Sequence, residues 1–339
     1  MLRQVIMLAA IGCARVAWAS PLDDKLVESG SQKLQNGDAD GALADFARAA
    51  ALDARDARPR FLRGAALQKK GDLDGAEKAF REALAIDPKL SAVRNELGTI
   101  LSDRGRFAEA VVELKAAAAA QPDLYEAWYN LGLAYDGLKK CAEAGDAYRR
   151  ATKIQPQSVD AWVNLSVSER RCKQLDAARA DAAQAVKIAP GDAQARLNLG
   201  LLQSEAGKLD DAAASLTVAT QLKADYGVAW WRLGVVELKR KKYDAAVAAL
   251  EKGCKLRPSA ACTTDLAIAL RDKGDLARAE SLLREALARD AGYALGRLAL
   301  AQTLALGKRC ADADKELAKL PAAEQHAEGA ENVRKACKK

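Results

Sequence analysis

The chain has 339 residues, with 53 Lys and Arg against 46 Asp and Glu for a net charge of +7, and half of it is apolar. Only 8 Pro, 5 Trp, 7 Tyr and 4 Phe interrupt a composition dominated by Ala and Leu, which favours helix throughout. The positive bias is too mild for a nucleic-acid binder, and no RRM-like or zinc-finger pattern accompanies it, so nucleic acid is excluded as a partner class.

The first element in chain order is a leader. Arg3 precedes an apolar run over residues 5–12, and Ala17-Trp18-Ala19 supplies the small-x-small pattern that a signal peptidase needs. Residues 1–19 are therefore expected to be a signal peptide, too short to span a bilayer, with the mature chain starting at Ser20. Its removal takes Arg3 and Arg15 and lowers the net charge from +7 to +5. A rival reading stands beside it: Ala10-Ile11-Gly12-Cys13 resembles a bacterial lipobox, with Ala10 where Leu is usual, and would make Cys13 a lipidated first residue. A retained amphipathic leader is the third. No later stretch is long and apolar enough to cross a membrane, so an exported protein is expected, periplasmic or associated with the outer membrane.

From about Asp23 the chain becomes periodic. Pro88, Pro122, Pro156 and Pro190 stand 34 residues apart; the next step reaches Ala224 and, after it, Pro258. From Tyr125 onward, Trp128, Leu131, Gly132 and Tyr135 are followed by Ala144, Tyr148, Ala151 and Pro156, and residues 57–90 repeat the pattern with Gly64, Gly71, Ala76, Phe80, Ala83 and Pro88. Apolar residues at positions 4, 7, 8 and 11 make one stripe of a first helix, and those at 20, 24 and 27 make one stripe of a second. Each repeat is thus a pair of amphipathic helices: Gly37, Gly71, Gly105, Gly207 and Gly274 terminate first helices, and the proline ends the second. One pair cannot bury its stripes alone, but stacked neighbours can.

This pattern resembles the tetratricopeptide repeat (TPR). The resemblance covers nearly all of the mature chain and implies an all-α TPR solenoid, a right-handed superhelix of stacked helix pairs. About nine repeats are expected over residues 20–327, the eighth shortened by one residue near Ala261, with residues 328–339 as a capping helix and basic tail.

Of seven cysteines, Cys13 lies in the leader and six remain. Cys141 and Cys172 fall at repeat positions 17 and 14, Cys254 and Cys262 at 28 and 3, Cys310 and Cys337 at 17 and about 10 of the capping helix. Each pair joins a second helix to the following first helix. Because those helices run antiparallel, touching positions should sum to a near constant, and the sums are 31, 31 and 27. Three disulfides are expected, which also suits an oxidising compartment. Six unpaired core thiols are the alternative. A metal site is disfavoured, since there is no CxxC and the one His, His326, sits in an acidic loop.

Catalysis has no visible carrier, because no GxSxG, glycine-rich phosphate loop or HExxH is present, and neither enzyme activity nor a cofactor is expected. Asp72, Asp74 and Glu77 read as helix-start residues that complement the dipole. Positions 2, 5, 9, 12 and 13 of each first helix lie opposite its packed stripe and would line a groove for a protein or extended peptide. Asn130, Asn164 and Asn198 share position 6 on its flank. In TPR proteins that bind extended peptides, such a ladder holds the ligand backbone, although Asn is also simply common there. Tyr129 and Trp231 offer aromatic surface beside it, and Arg170, Arg171, Arg232 and Lys239 offer charge for an acidic, apolar partner. A basic edge including Lys69, Lys70, Arg104, Arg106, Lys139 and Lys140 mostly complements helix C-termini; contact with acidic lipid is the other reading. The resemblance implies a non-catalytic scaffold in a bacterial envelope, an adaptor of a motility, pilus or secretion machine. The alternative is a targeting subunit that presents substrate to a separate glycan or cell-wall enzyme.

Overall fold

The computed structural model describes residues 21–338, so the leader, Cys13 and the expected cleavage sites lie outside the described residues. The described residues form two compact units that divide between Lys173 and Gln174, and they are helical with no strand.

The first unit holds α1 (Pro21–Gln35), α2 (Ala39–Leu52), α3 (Arg58–Lys70), α4 (Leu73–Ile86), α5 (Ser91–Asp103), α6 (Phe107–Ala120), α7 (Tyr125–Gly137), α8 (Cys141–Ile154) and α9 (Val159–Arg171). The second holds α10 (Leu175–Ile188), α11 (Ala193–Glu205), α12 (Leu209–Leu222), α13 (Gly227–Lys239), α14 (Tyr243–Leu256), α15 (Ala260–Lys273), α16 (Leu276–Arg289), α17 (Ala294–Leu306), α18 (Cys310–Leu317), α19 (Ala322–Gln325) and α20 (Glu328–Cys337). The sequence thus runs through nine first-helix and second-helix segments, and α20 caps the last of them by packing on α17 and α18. The link between α14 and α15 is residues 257–259, one shorter than residues 223–226 between α12 and α13, which locates the missing residue of the eighth repeat.

Small residues set the distance between paired helices. Ala42, Ala76, Ala110, Ala144, Ala178, Ala212, Ala246, Ala279 and Ala313, one per repeat at position 20, are all fully buried. At position 8 the backbone of the first helix meets a large side chain of the second. A Cβ on Gly64 would come within 2.4 Å of Phe80, on Gly132 within 2.5 Å of Tyr148, and on Gly234 within 2.4 Å of Leu250. Phe46, Phe80, Leu114, Tyr148, Leu216, Leu250, Leu283 and Leu317 are the large buried side chains at position 24.

The turn from first to second helix is a left-handed cap. Gly71 (φ 85°) donates its N–H to Gln68 O and Asp72 donates to Leu67 O, which satisfies two of the last carbonyls of α3. Asp72 then accepts from Gly75 N and caps α4. The same left-handed position is occupied by lysine in four repeats: Lys139, Lys173, Lys241 and Lys308, with φ of 59°, 62°, 60° and 58°. Their Cβ atoms carry a cost of roughly 1–2 kcal/mol that glycine avoids.

Three disulfides tie second helices to segments later in the chain. Cys141, the first residue of α8, is bonded to Cys172 just after α9 (Cα–Cα 5.7 Å); Cys254 in α14 is bonded to Cys262 in α15 (5.5 Å); and Cys310, the first residue of α18, is bonded to Cys337 at the end of α20 (5.5 Å). Closing the 31-residue loop of the first contributes about 3–4 kcal/mol in the chain-entropy description.

Two substitutions should have opposite signs. Gly132→Leu forces a side chain against Tyr148 and should cost about 1–3 kcal/mol, whereas Lys139→Gly relieves the left-handed cap and should stabilise by about 1 kcal/mol. Urea melts followed by circular dichroism read both, and a destabilised Lys139→Gly protein would contradict the strain assigned to that turn.

Candidate functional site

Successive first helices touch each other: α5 meets α7 in the first unit, and α11 meets α13, α13 meets α15 and α15 meets α17 in the second. Side chains at positions 5 and 6 therefore face one another across neighbouring repeats.

In the first unit this contact absorbs the asparagines. Asn130 donates from Nδ2 to Asn95 Oδ1 (3.0 Å) and Thr99 Oγ1 (3.1 Å), so both of its N–H groups are used between α7 and α5. Asn164 donates from α9 to the Tyr129 hydroxyl (3.0 Å). Tyr129 stacks on Tyr125 (centroids 5.6 Å apart) and meets the Tyr148 edge at 5.8 Å; burial first, then Asp160 and Tyr125, push its hydroxyl up to about 12. Arg171 is committed to Asp136 (2.7 Å), which also accepts from Ser168 and Tyr148. Arg170 is half-buried beside it. These side chains stitch repeat to repeat, and the peptide-clasping role expected of Asn130 and Asn164 would fall to their remaining carbonyl and amide atoms.

Glu96, at position 6 of α5, was not singled out from the sequence. Burial raises its carboxyl above the ordinary range, against hydrogen bonds from Gln68 and Asn95, and the like charge of Glu126 adds to the rise. Its place in the asparagine register was the available signal.

In the second unit the same contact has different chemistry. Asn198 is only 3% exposed and so is part of the interior. Trp231, at position 5 of α13, donates its indole N–H to Asp265 (2.7 Å) at position 6 of α15. Burial, opposed by that bond and by Arg232, raises the Asp265 carboxyl. The Arg232 guanidinium lies 4.6 Å from the Trp231 ring centroid, and its buried Nε has no acceptor among the described residues. Thr264 Oγ1, the neighbour of Asp265, is likewise buried and unpartnered. Val235, Leu238 and Ile268 are half-buried around them, Lys239 is exposed at the end of α13, and Leu295 and Leu306 of α17 are 64% and 59% exposed. Asp265 escaped the sequence reading because the deletion before α15 moves it one residue out of the 34-residue register.

The basic turn edge is compensated in part. Arg104 pairs with Asp74 (2.7 Å) and Glu77 (3.1 Å), Arg106 with Glu77 (2.9 Å), Arg240 with Asp210 (2.6 Å) and Lys273 with Asp244 (2.6 Å), each cation reaching an acid of the preceding second helix. Among the described residues no group of three or more His, Cys, Asp or Glu is placed to hold a metal, and no helix is long and apolar enough to cross a membrane.

Models of the tetratricopeptide repeat match residues 57–90, residues 95–261 in four overlapping stretches (95–159, 134–193, 165–227 and 197–261), and residues 259–289. The chain belongs to the tetratricopeptide repeat family. No curated protein matches it. Among solved structures, the chain is similar to the APC/C hetero-tetramer Cut9-Hcn1 (17% identity, TM-score 0.58, 92% of this chain and 65% of that one). It is also similar to a tetratricopeptide repeat protein of Parabacteroides merdae (17%, 0.55, 73% and 98%) and to pilF of Pseudomonas aeruginosa (21%, 0.51, 60% and 92%). At these identities the likeness is one of fold.

The raised Glu96 carboxyl has a stability consequence with a definite sign. Its folded value lies above the unfolded one, so its contribution is fully present below the unfolded carboxylate range and is lost as pH rises through the folded value. Glu96→Gln, which cannot ionise, should therefore melt higher than the wild type at pH 7 and equal to it near pH 3. Thermal melts at both pH values check this; a Gln variant that is less stable at pH 7 would refute the assignment.

Proposed function

We propose that this chain is a non-catalytic protein-interaction scaffold that holds a partner segment against its first-helix faces, and that it works in the bacterial cell envelope as an adaptor of a multi-component machine of the pilus, motility or secretion kind. The repeat family supports the scaffold reading. The leader sequence and three disulfides support the exported, oxidising setting, because disulfides persist there.

The observation that carries the docking face is Arg232 of the second unit. A buried guanidinium nitrogen without an acceptor is costly in a finished interior. Here the half-buried side chain lies over Trp231 with Lys239 exposed on the same helix, an arrangement that a partner carboxylate would complete at the terminal guanidinium nitrogens. Trp231, Arg232 and Lys239 are the residues proposed to touch the partner. Asn130, Asn164, Tyr129, Arg170 and Arg171 would line the corresponding face of the first unit, with their inter-repeat bonds fixing its shape, and Asn198 would support the second from within.

Two measurements test this. Mass spectrometry of protein taken from the envelope should show a mature chain beginning at Ser20 or at a lipidated Cys13 and no thiol that alkylates before reduction; an intact Met1 would sink the export claim. In pull-downs from membrane extract, Trp231→Ala with Arg232→Ala should reduce recovery of the specific partner at least tenfold without loss of helix content. Recovery of machine components supports the adaptor reading, while a single co-purifying hydrolase or transferase would replace it with substrate targeting.

A further inference from the structure

The first unit carries a second concavity, on the side of its second helices. A half-open groove of about 610 Å³ lies between α6 and α8, with α7 as its floor. Trp128, Leu131 and Tyr135 sit at i, i+3 and i+7 on α7 and so present one face into it. The groove exists because α6 ends in five alanines, residues 116–120: Ala118 stands where α4 has Leu84, and it lines the groove together with exposed Ala119. Side chains that would fill the space are missing, which leaves Trp128 half-buried at the groove above Leu131 and Tyr135, themselves 3% and 6% exposed.

The rim is cationic. Lys115 Nζ lies 5.6 Å from the Tyr135 ring centroid, the Arg150 guanidinium lies 5.9 Å from that of Trp128, and Lys153 is exposed on α8. Neither Arg150 nor Lys153 has an ion-pair partner among the described residues, whereas Lys115 is held by the Tyr135 hydroxyl and feels the charge of Glu143. Arg149 is different, being held by Asp146 (2.7 Å) and Glu169 (2.9 Å). An apolar floor under unpaired cations is complementary to an acidic ligand that also brings an apolar group.

We propose that this groove is a second docking surface, distinct from the first-helix faces, that receives an acidic segment of a partner protein. One aromatic or branched apolar side chain of that segment lies on Trp128 and Ala119, and flanking carboxylates reach Lys115, Arg150 and Lys153. Shape and charge favour a protein segment over a membrane. A plane of headgroups cannot enter a groove between helices, whereas an extended segment can, and its backbone N–H groups can face Glu143 and Asp146 on the same wall.

The test uses the full chain and a defined probe, a blocked peptide of sequence Glu-Phe-Asp-Leu-Glu, titrated by calorimetry. Saturable binding is expected, weakening at least tenfold when salt rises from about 0.05 M to about 0.5 M, weakening at least tenfold in Arg150→Glu with Lys153→Glu, and lost in Ala119→Trp, which fills the groove from an exposed position. Trp231→Ala with Arg232→Ala should leave this binding unchanged, which separates the groove from the face proposed above. Circular dichroism confirms that each variant is folded. Equal binding of Lys-Phe-Lys-Leu-Lys, acidic-peptide binding that survives Ala119→Trp, or no saturable binding would each overturn the proposal. Binding of phosphatidylglycerol vesicles that Ala119→Trp abolishes, with none of the peptide, would overturn it in favour of a lipid surface.

Discussion

Close approach of two helices within each repeat is the constraint on which the rest of the molecule depends. Where the Cα of Gly64, Gly132 or Gly234 lies against Phe80, Tyr148 or Leu250, no space remains for a Cβ. The fully buried alanine at position 20 keeps the second helix equally near along its length. Dense packing is obtained with few large side chains, since the backbone itself supplies one wall of each contact. A composition rich in Ala and poor in aromatics is therefore what such a core requires.

Fixed spacing inside a repeat leaves variation to the surfaces between repeats, and the two units use that freedom differently. In the first, Asn130 and Asn164 at position 6 are bonded to the preceding first helix, and Asp136 gathers Arg171, Ser168 and Tyr148 into a polar network. In the second, the equivalent contact is the Trp231 indole on Asp265, with Arg232 laid over the ring and aliphatic side chains around it. One backbone arrangement thus presents a carboxamide-bonded surface in one unit and an indole–carboxylate contact under an arginine in the other.

The architecture was legible because its determinants recur. The 34-residue spacing of proline, glycine at the turn and alanine at position 20 each express a local steric demand that repeats unchanged. The turn was only partly legible: glycine marks five left-handed positions, but Lys139, Lys173, Lys241 and Lys308 adopt the same conformation with no signal in residue type. The candidate site was less legible for a different reason. Position numbers identify which residues share a face, but not whether a polar group is spent within the molecule, and the amides of Asn130 proved to be spent on Asn95 and Thr99. The groove over α7 arises from what α6 lacks, and an absence of bulk over residues 116–120 looks in sequence like ordinary helix propensity.

The bond between Cys310 and Cys337 has a mechanical meaning. Tension applied to the tail at residue 338 reaches Cys337 and crosses the covalent link to Cys310 directly, so residues 311–336 between them carry no load and α20 cannot be peeled from the stack. The Cys254–Cys262 link does the same across the shortened turn between α14 and α15. Force pulling on this end passes through backbone and sulfur atoms at these points, while the hydrogen-bonded turns they bypass stay slack.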